Sequence, residues 1–199
     1  MIPEEYILRV KQRSQTHYYI GYIIRLYHYL KFGVRRFIAR KKGATIGNNS
    51  IIPLRLALKA NSNLVIGNNV SINSSCFDLR RKIVIHDNVI INRDVGIIRL
   101  SHDYNSMDFR LKEYESLVIE SYSWLATGSK ILPSCSLIAY GTVLGAYSVL
   151  PYNTEKMSVY SGFPAKIIKK RENVWTNLVV VSLNGGDWNY YKQARKQKI

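Results

Sequence analysis

Long hydrophobic runs are missing from this chain of 199 residues. A membrane-spanning helix needs roughly 20 consecutive apolar residues, and the densest run, YYIGYII, is followed at once by Arg25. The chain begins with Glu4, Glu5 and Arg9 before any apolar stretch, which is not the pattern of a secretory signal, and it shows no lipid-attachment motif. We therefore expect a cytoplasmic protein that is soluble or peripheral at the inner face of the cytoplasmic membrane.

Cysteine is scarce as well. Cys76 and Cys135 are the two in the sequence, and they lie far apart without the spacing of metal ligands. A reducing compartment keeps such thiols reduced. The sequence therefore favours two free thiols over a disulfide.

Acidic residues are few, with 13 Asp and Glu against 29 Lys and Arg and a formal net charge of +16. Residues 1–42 hold ten basic and two acidic residues, residues 166–199 hold eight and two, and the long middle holds eleven and nine. No helix-turn-helix, zinc-finger or RNA-recognition signature accompanies this charge, so no nucleic-acid partner is expected. The basic ends fit either a solvated surface or contact with anionic lipid or a phosphorylated ligand.

What the chain does contain is a six-residue rhythm of aliphatic residues. A short internal period is typical of a solenoid. Six matches neither the 3.6 of a helix nor the 2 of a strand, but it fits a coil of three short edges with one large inward residue per edge. The rhythm occupies Ile46, Ile52, Leu58, Ile66, Ile72, Ile85, Ile91, Ile97, Ile119, Leu125 and Ile131.

Small residues recur four places after these aliphatics, where they suit the remaining inward position; both cysteines fall in this class, beside Ser50, Val70, Val89, Val95, Ser123, Ser129 and Ser148. Asn-containing pairs follow the aliphatics, as in Gly47-Asn48-Asn49, and suit corners with left-handed backbone. The pattern predicts short strands stacked in parallel and joined by turns.

The two ends of the chain depart from the rhythm, so we divide the sequence into residues 1–42, 43–165 and 166–199. The first segment has a helical period and is basic and rich in tyrosine. It is placed either to cover the unpaired edge of the first coil or to contact anionic membrane. In the last segment, TNLVVVSL predicts a strand, NGG a turn, and the following residues a helix with Asp187 as N-cap.

The rhythm is interrupted at RLSHDYNSMDFR, residues 99–110, and we expect an insertion over residues 101–116 that projects from the stack. His102 lies within it. An imidazole titrates near neutral pH, so it can accept a proton from a hydroxyl group and return it within one turnover. Of the four histidines, His86 and His102 are the two inside the repeats. A zinc site built from histidines would need three of them to converge, so we expect no metal.

Three motifs in order resemble the hexapeptide-repeat acyltransferases, and most closely their sugar and polysaccharide O-acetyltransferases, including the enzyme of colanic-acid biosynthesis. The motifs are INRDVGIIRLSHDYNSMDF, VIESYSWLATGSKILP and VLGAYSVL followed by SGFPAKIIKKR, and the resemblance covers roughly residues 43–171. It implies a mainly β fold, a left-handed parallel β-helix, to which the two ends of the chain add the N-terminal helical segment and the short C-terminal strand and helix. It also implies a homotrimer whose active sites lie between subunits.

The resemblance further implies acetyl-CoA as donor and His102 as the general base of direct transfer to a sugar hydroxyl. Asp103 or Asp94 would orient the imidazole or bind the acceptor, with Tyr104 beside them. The acceptor would be a small molecule, an oligosaccharide or a lipid-linked sugar. Donor contacts are carried over to Trp124, Thr127, Ala146, Lys166 and Lys169.

Two other functions stay open at this point. One is N-acetylation of an amino sugar, which would give a base-resistant amide. The other is a non-catalytic basic module on membranes or nucleic acid, which would transfer nothing from acetyl-CoA.

Overall fold

The computed structural model describes residues 2–172 and 180–197. Two helices come first, α1 (Glu4–Lys11) and α2 (Gln15–Lys41). Ser14 caps α2 by accepting a hydrogen bond from the backbone N–H of His17 at 3.4 Å. A third, short helix α3 (Leu54–Lys59) follows. None of the helices described has the combination of length and hydropathy that crossing a bilayer requires.

Sixteen short strands follow one another along the described chain. In chain order they are β1 (Thr45–Ile46), β2 (Leu64–Ile66), β3 (Ser71–Ile72), β4 (Ile83–Ile85), β5 (Ile90–Ile91), β6 (Gly96–Ile97), β7 (Ser101–His102), β8 (Leu111–Lys112), β9 (Leu117–Ile119), β10 (Trp124–Leu125), β11 (Lys130–Ile131), β12 (Leu137–Ile138), β13 (Val143–Leu144), β14 (Val149–Leu150), β15 (Ser158–Gly162) and β16 (Ala165–Lys170).

The strands alternate among three sheets. The first sheet has the order β1-β2-β4-β9-β12, the second β3-β5-β10-β13-β15-β16, and the third β6-β11-β14. Pairing is parallel except between β15 and β16 and in the separate pair of β7 with β8. Three successive strands, such as β4, β5 and β6, make one level of the stack. The predicted parallel architecture of short edges is therefore confirmed.

The aliphatic rhythm forms the core because the register places each aliphatic over its counterpart in the next level. Ile46 pairs with Ile66 and Ile66 with Ile85 in the first sheet, and Ile91 pairs with Leu125 in the second. All of these side chains are at most 4% exposed. Burial of such side chains contributes roughly 1.5–3 kcal/mol each, so these rows hold the levels together.

Two positions of the predicted rhythm are wrong. Leu58 is 51% exposed, because α3 replaces a strand at that edge of the first level and buries Leu56 and Ala57 instead. Cys76 is exposed, while Ser74 and Phe77 take the buried places in that stretch. Cys135 is buried in the core, as predicted, and both cysteines are free thiols.

The corners of the stack use left-handed backbone, as the Asn-containing pairs predict. Asn49, Asn69 and Asn88 have φ angles between 54° and 59°. Asn adopts this conformation more readily than most residues because its short polar side chain bonds locally. Later corners place Tyr122 (φ 61°) and Tyr147 (φ 56°) in the same conformation, so large aromatic side chains stand at the corners of the fourth and fifth levels.

The inner face of α2 covers the open edge of the first level. Arginines 35, 36 and 40 donate hydrogen bonds to the backbone carbonyls of Ile52, Ser50 and Ile46. A sheet edge leaves such carbonyls unpaired, so the arginines satisfy them.

A second, smaller core joins the ends of the described chain. Helix α4 (Trp188–Lys196) packs on α1, and Tyr6 donates a hydrogen bond to the buried Asp187 carboxylate, which also lies 3.0 Å from Arg25 Nε. Burial, together with the adjacent carboxylate, raises the pKa of Tyr6. Asp187 occupies the N-cap position of α4, but its side chain makes no cap hydrogen bond, because it is bound to Tyr6 and Arg25.

The C-terminal region differs from its prediction in two ways. The strand predicted over TNLVVVSL is a 3₁₀ helix at Val180–Asn184, and residues 176–179 lie outside the described part. The turn at NGG and the final helix are as predicted. The boundary at 165/166 falls inside β16, since this strand turns back on β15 and closes the second sheet.

Candidate functional site

The interruption of the rhythm is a projecting hairpin of β7 and β8, in which His102 pairs with Leu111. It leaves the stack after β6 of the third sheet and returns at β9 of the first, so it stands at the corner between those two sheets. Met107 and Phe109, beyond β7, are 98% and 63% exposed. The hairpin carries its side chains away from the core.

A buried arginine anchors the base of this hairpin. The Arg99 guanidinium is completely buried and donates hydrogen bonds to the carbonyl of Cys135, at 2.7 Å, and to that of Glu115. Burial lowers the pKa of Arg99. Because Glu115 ends the insertion and Cys135 belongs to the next level, one side chain ties both ends of the hairpin to the stack.

Asp78 supports the same anchor from the level below. Its carboxylate accepts hydrogen bonds from the Arg80 side chain at 2.8 Å and from the backbone N–H of Arg99 at 3.2 Å. These bonds, led by the one from the Arg80 side chain, lower the pKa of Asp78 to about 2. The sequence interpretation gave neither Arg99 nor Asp78 a role. The only signal in the sequence for this anchor was that an arginine, Arg99, begins an interruption that is otherwise flanked by aliphatic residues.

His102 is exposed on the hairpin, and among the described residues its ring has one hydrogen-bond partner. The Nδ1 atom is hydrogen-bonded to the carbonyl oxygen of Phe109. A carbonyl can only accept, so Nδ1 carries the proton and Nε2 keeps its lone pair. The backbone of the hairpin therefore selects the tautomer in which Nε2 can act as a base.

Asp103 and Tyr104 lie next to His102 in the chain but do not hold its ring. The Asp103 carboxylate accepts the backbone N–H of Asn105 at 3.0 Å, while its own N–H donates to the Arg110 carbonyl at 2.7 Å. The orienting partner predicted as Asp103 or Asp94 is instead the Phe109 carbonyl. Tyr104 is 85% exposed.

A second group of predicted residues follows a different corner, between the second and third sheets. Trp124 pairs with Val143 and Lys130 with Val149, so Thr127 and Ala146 take equivalent places in the fourth and fifth levels. The N–H of Tyr147 donates to the Thr127 carbonyl at 2.9 Å. Asp94 stands at the same corner in the third level, where its carbonyl accepts the Lys130 ammonium at 2.9 Å.

Of the two predicted lysines on the outer strand of the second sheet, Lys166 lies at the end near this corner and Lys169 lies towards the other end. Lys166 pairs with Ser161, and Lys169 with Val159. Both side chains are exposed, and neither has a hydrogen-bond partner within residues 2–172 and 180–197. The neighbouring cations are occupied, since Lys170 binds Glu155 and Ser158, and Arg171 binds the carbonyl of Gly141.

Trp124 and Tyr147 add aromatic surface to the same side. Trp124 is 44% exposed in the second sheet, between β5 and β13. Tyr147 is 76% exposed, and its ring lies so close to Gly128 that an added Cβ there would come within 2.5 Å of it. The sequence interpretation missed Tyr147. A tyrosine at the corner position where the earlier levels have Asp94 and Gly128 was the available signal.

The predicted residues thus fall into two groups that flank the third sheet. His102, Asp103 and Tyr104 are on the hairpin at one corner. Asp94, Thr127, Ala146 and Lys166 run from the third level to the outer strand along the other. In the part of the chain that the structure describes, no three histidine, cysteine or carboxylate side chains come together as metal ligands.

Comparison with known proteins gives one curated relative and several fold neighbours. The putative lipopolysaccharide biosynthesis O-acetyl transferase WbbJ of Escherichia coli (strain K12) is 40% identical over 63 residues, which is 32% of this chain and 32% of that protein. The chain is thus matched over about a third of the length of this relative. No family model matches the chain.

Among solved structures, AntD, an N-acyltransferase from Bacillus cereus in complex with dTDP and 3-hydroxybutyryl-CoA, has 17% identity and a TM-score of 0.51 over 78% of this chain and 82% of its own. A hexapeptide-repeat acetyltransferase, VCA0836 of Vibrio cholerae O1 biovar eltor, complexed with acetyl-CoA, has 20% identity and a TM-score of 0.48 over 66% and 62%. The likeness to AntD is one of fold. The resemblance predicted from the motifs is confirmed by the similarity to the O-acetyl transferase WbbJ.

Proposed function

We propose that the protein is an acetyl-CoA-dependent O-acetyltransferase that acts on a sugar hydroxyl in the biosynthesis of a surface polysaccharide. The observation that carries this proposal is the His102 ring, exposed on a projecting hairpin with Nδ1 bound to the Phe109 carbonyl. The similarity to the O-acetyl transferase WbbJ supports oxygen as the acceptor atom.

The residues account for a direct transfer. His102 Nε2 accepts the proton of the sugar hydroxyl as its oxygen attacks the thioester carbonyl carbon. The tetrahedral intermediate then expels the thiolate of coenzyme A, which takes the proton from the imidazolium. An ester bond forms and a thioester bond breaks, with no covalent enzyme intermediate, because binding holds both reactants together. Asp103 and Tyr104 stand on the same hairpin, where they can contact the acceptor.

The donor would lie along the corner between the second and third sheets. Lys166 and Lys169 offer charges to its phosphates on the outer strand. Thr127 and Ala146 are small enough to let the pantetheine arm lie against the backbone, and Trp124 borders the groove. The arm would then point from the outer strand towards the third level, where Asp94 and the root of the hairpin lie.

The left hand of the helix and the trimer are part of the same proposal. The two groups of residues stand at opposite corners of the third sheet, so within one subunit the base and the donor groove face different directions. In a trimer of hexapeptide-repeat type, the hairpin of one subunit would meet the donor groove of its neighbour.

The test combines a binding and a transfer measurement. Calorimetry should detect acetyl-CoA binding, and a screen of nucleotide sugars and oligosaccharides should release free thiol with at least one acceptor. Mild base should then remove the acetyl group from the product, as from an ester. A base-resistant product would replace this proposal with N-acetylation, which the fold shared with AntD makes the second candidate. Absence of any acetyl-CoA binding would refute both.

A further inference from the structure

The outer face of α2 is a continuous apolar surface that no described part of the chain covers. On the inner face, Phe32 and Ala39 are buried against the stack. On the outer face, eight large apolar side chains are between 50% and 65% exposed. They are Tyr19, Ile20, Ile23, Ile24, Tyr27, Leu30, Val34 and Phe37.

These eight residues, the α2 stripe, lie on one side of the helix because they recur at intervals of three and four. From Tyr19 to Phe37 the stripe runs for about 27 Å at 1.5 Å per residue. Monomeric proteins rarely expose contiguous apolar surface of this extent, and a larger patch rimmed by polar groups marks an interaction site.

Every charged residue of α2 is basic. Helix α2 contains no Asp or Glu between Gln15 and Lys41. The Lys31 and Lys41 ammonium groups lie 5.6 Å from the ring centroids of Tyr27 and Phe37. Lysine stems of this kind cover apolar surface while the charge reaches outward, so cations border the stripe in its middle and at its C-terminal end.

At its N-terminal end, the stripe runs into a pocket between α2 and α4. The pocket has a volume of about 520 Å³. Tyr19 belongs to both the stripe and the pocket, which is otherwise lined by Gln15, Tyr18, Tyr22, Lys192, Arg195 and Lys196. Lys192 and Lys196 suit the phosphate of a lipid headgroup, while Arg195 also donates to the carbonyls of Lys11 and Arg13.

We propose that α2 docks on an anionic membrane surface, with the stripe against the acyl chains and the pocket around a lipid phosphate. An interfacial helix has this composition, with a wide apolar face, basic flanks and aromatic residues at the boundary. Charge argues against a second copy of the chain as the occupant, because it would bring the same cations to the contact. The stripe is also wider than a coiled-coil seam, since Tyr19 and Ile24 add to the residues spaced by three and four.

Sedimentation of the full chain with vesicles tests this proposal. Phosphatidylcholine alone should bind it weakly, vesicles that also contain phosphatidylglycerol should bind it strongly, and salt should weaken the strong binding. Replacing Lys31 and Lys41 by Gln should reduce that binding by about fivefold for each charge. The matched control replaces Lys82 and Lys156, which are exposed and far from α2 in the chain, and should leave binding within about twofold.

The apolar contact needs its own variant. Ile23→Ser, at a position 65% exposed, should weaken vesicle binding by roughly tenfold. Met107→Ser on the hairpin, 98% exposed, should not. Circular dichroism verifies that each variant is folded.

Three results would overturn the proposal. The first is equal binding of the protein to neutral and anionic vesicles. The second is an equal loss of vesicle binding when Lys31 and Lys41 or the control pair Lys82 and Lys156 are replaced. The third is a protein that binds no vesicles but self-associates with increasing concentration, where Ile23→Ser abolishes the self-association. The last result would assign the stripe to a second copy. None of these outcomes bears on acetyl transfer in solution, so the membrane proposal and the proposed function fail independently.

Discussion

The Nδ1 atom of His102 is bound to the backbone carbonyl of Phe109, seven residues later in the same hairpin. The partner that sets the tautomer is therefore main chain, where many catalytic histidines use a carboxylate. A backbone carbonyl oxygen is not protonated near neutral pH. The orientation of the His102 ring therefore does not depend on the titration of a neighbouring acid.

Replacing His102 by Ala should lower kcat by a factor of roughly 10² to 10⁴, the usual contribution of general acid–base catalysis. Binding of acetyl-CoA should stay near the wild-type level, since the proposed donor groove lies at another corner. The matched control is His86→Ala, another exposed histidine of the repeats. Steady-state kinetics with calorimetry separates the two effects, and a folded His102 variant that retains full turnover would remove this residue from the mechanism.

Replacing Lys166 and Lys169 together by Ala should raise the KM for acetyl-CoA by roughly tenfold and leave kcat largely intact. Both lysines are exposed, so salt should weaken wild-type donor binding more than that of the variant, because exposed charges are screened beyond a Debye length of about 8 Å. Lys82→Ala with Lys156→Ala controls for net charge. An unchanged affinity with an unchanged salt dependence would move the donor away from β16.

The two thiols should differ sharply in reactivity. Burial raises the pKa of Cys135 to about 11, whereas Cys76 is exposed. A chromogenic disulfide reagent at neutral pH should therefore titrate one thiol per native chain and two per unfolded chain. Cys76→Ser should abolish the native reaction. Rapid labelling of Cys135 in the folded protein would contradict its place in the core.

Asp78 should make the free energy of unfolding depend on pH in the acid range. Its pKa in the folded protein, about 2, lies below the ordinary value, so the carboxylate stabilises the fold above that ordinary value. This contribution is lost as the pH falls from about 4 through about 2. Asp78→Asn should be less stable than wild type at neutral pH and should lose less stability over that acid window.

Denaturant unfolding at a series of pH values measures this difference. Glu113→Gln is the control, because that side chain is 84% exposed on the hairpin. Parallel pH curves for wild type and Asp78→Asn would show that this acid does not support the Arg99 anchor.

Light scattering should find a trimer in solution, because the proposed base and the proposed donor groove face different directions within one subunit. Mixing His102→Ala subunits with Lys166→Ala, Lys169→Ala subunits, assayed at an acetyl-CoA concentration far below the raised KM of the lysine variant, offers a sharper test. If sites form between subunits, mixed trimers regain part of the activity. A fully active monomer would exclude a shared site.

The core could be predicted from the sequence because a fixed period leaves little freedom. Once Ile66, Ile85 and Ile119 recur in register, parallel pairing places each over the next. The prediction failed where local chemistry overrides the period. Leu58 belongs to a helix that begins after Pro53, and a single shift at Ser74 and Phe77 turns Cys76 outward.

The site was predictable only in part. His102 could be located because an interruption of a repeat is visible in one dimension. The Phe109 carbonyl could not, because backbone groups leave no mark in a sequence. Arg99 was equally obscure, since its partners Glu115 and Cys135 become neighbours only when the levels stack.

The contact of Tyr6 with Asp187 joins residues 181 positions apart. Levels of the stack can form one after another as the chain leaves the ribosome, because each pairs with a segment made shortly before it. The small core of α1 and α4 cannot form in this stepwise way. Helix α1 can pack on α4 only when nearly all of the described chain has been synthesised. Throughout that interval the apolar face of α1 lacks its contact with α4, so we expect a nascent chain to expose it.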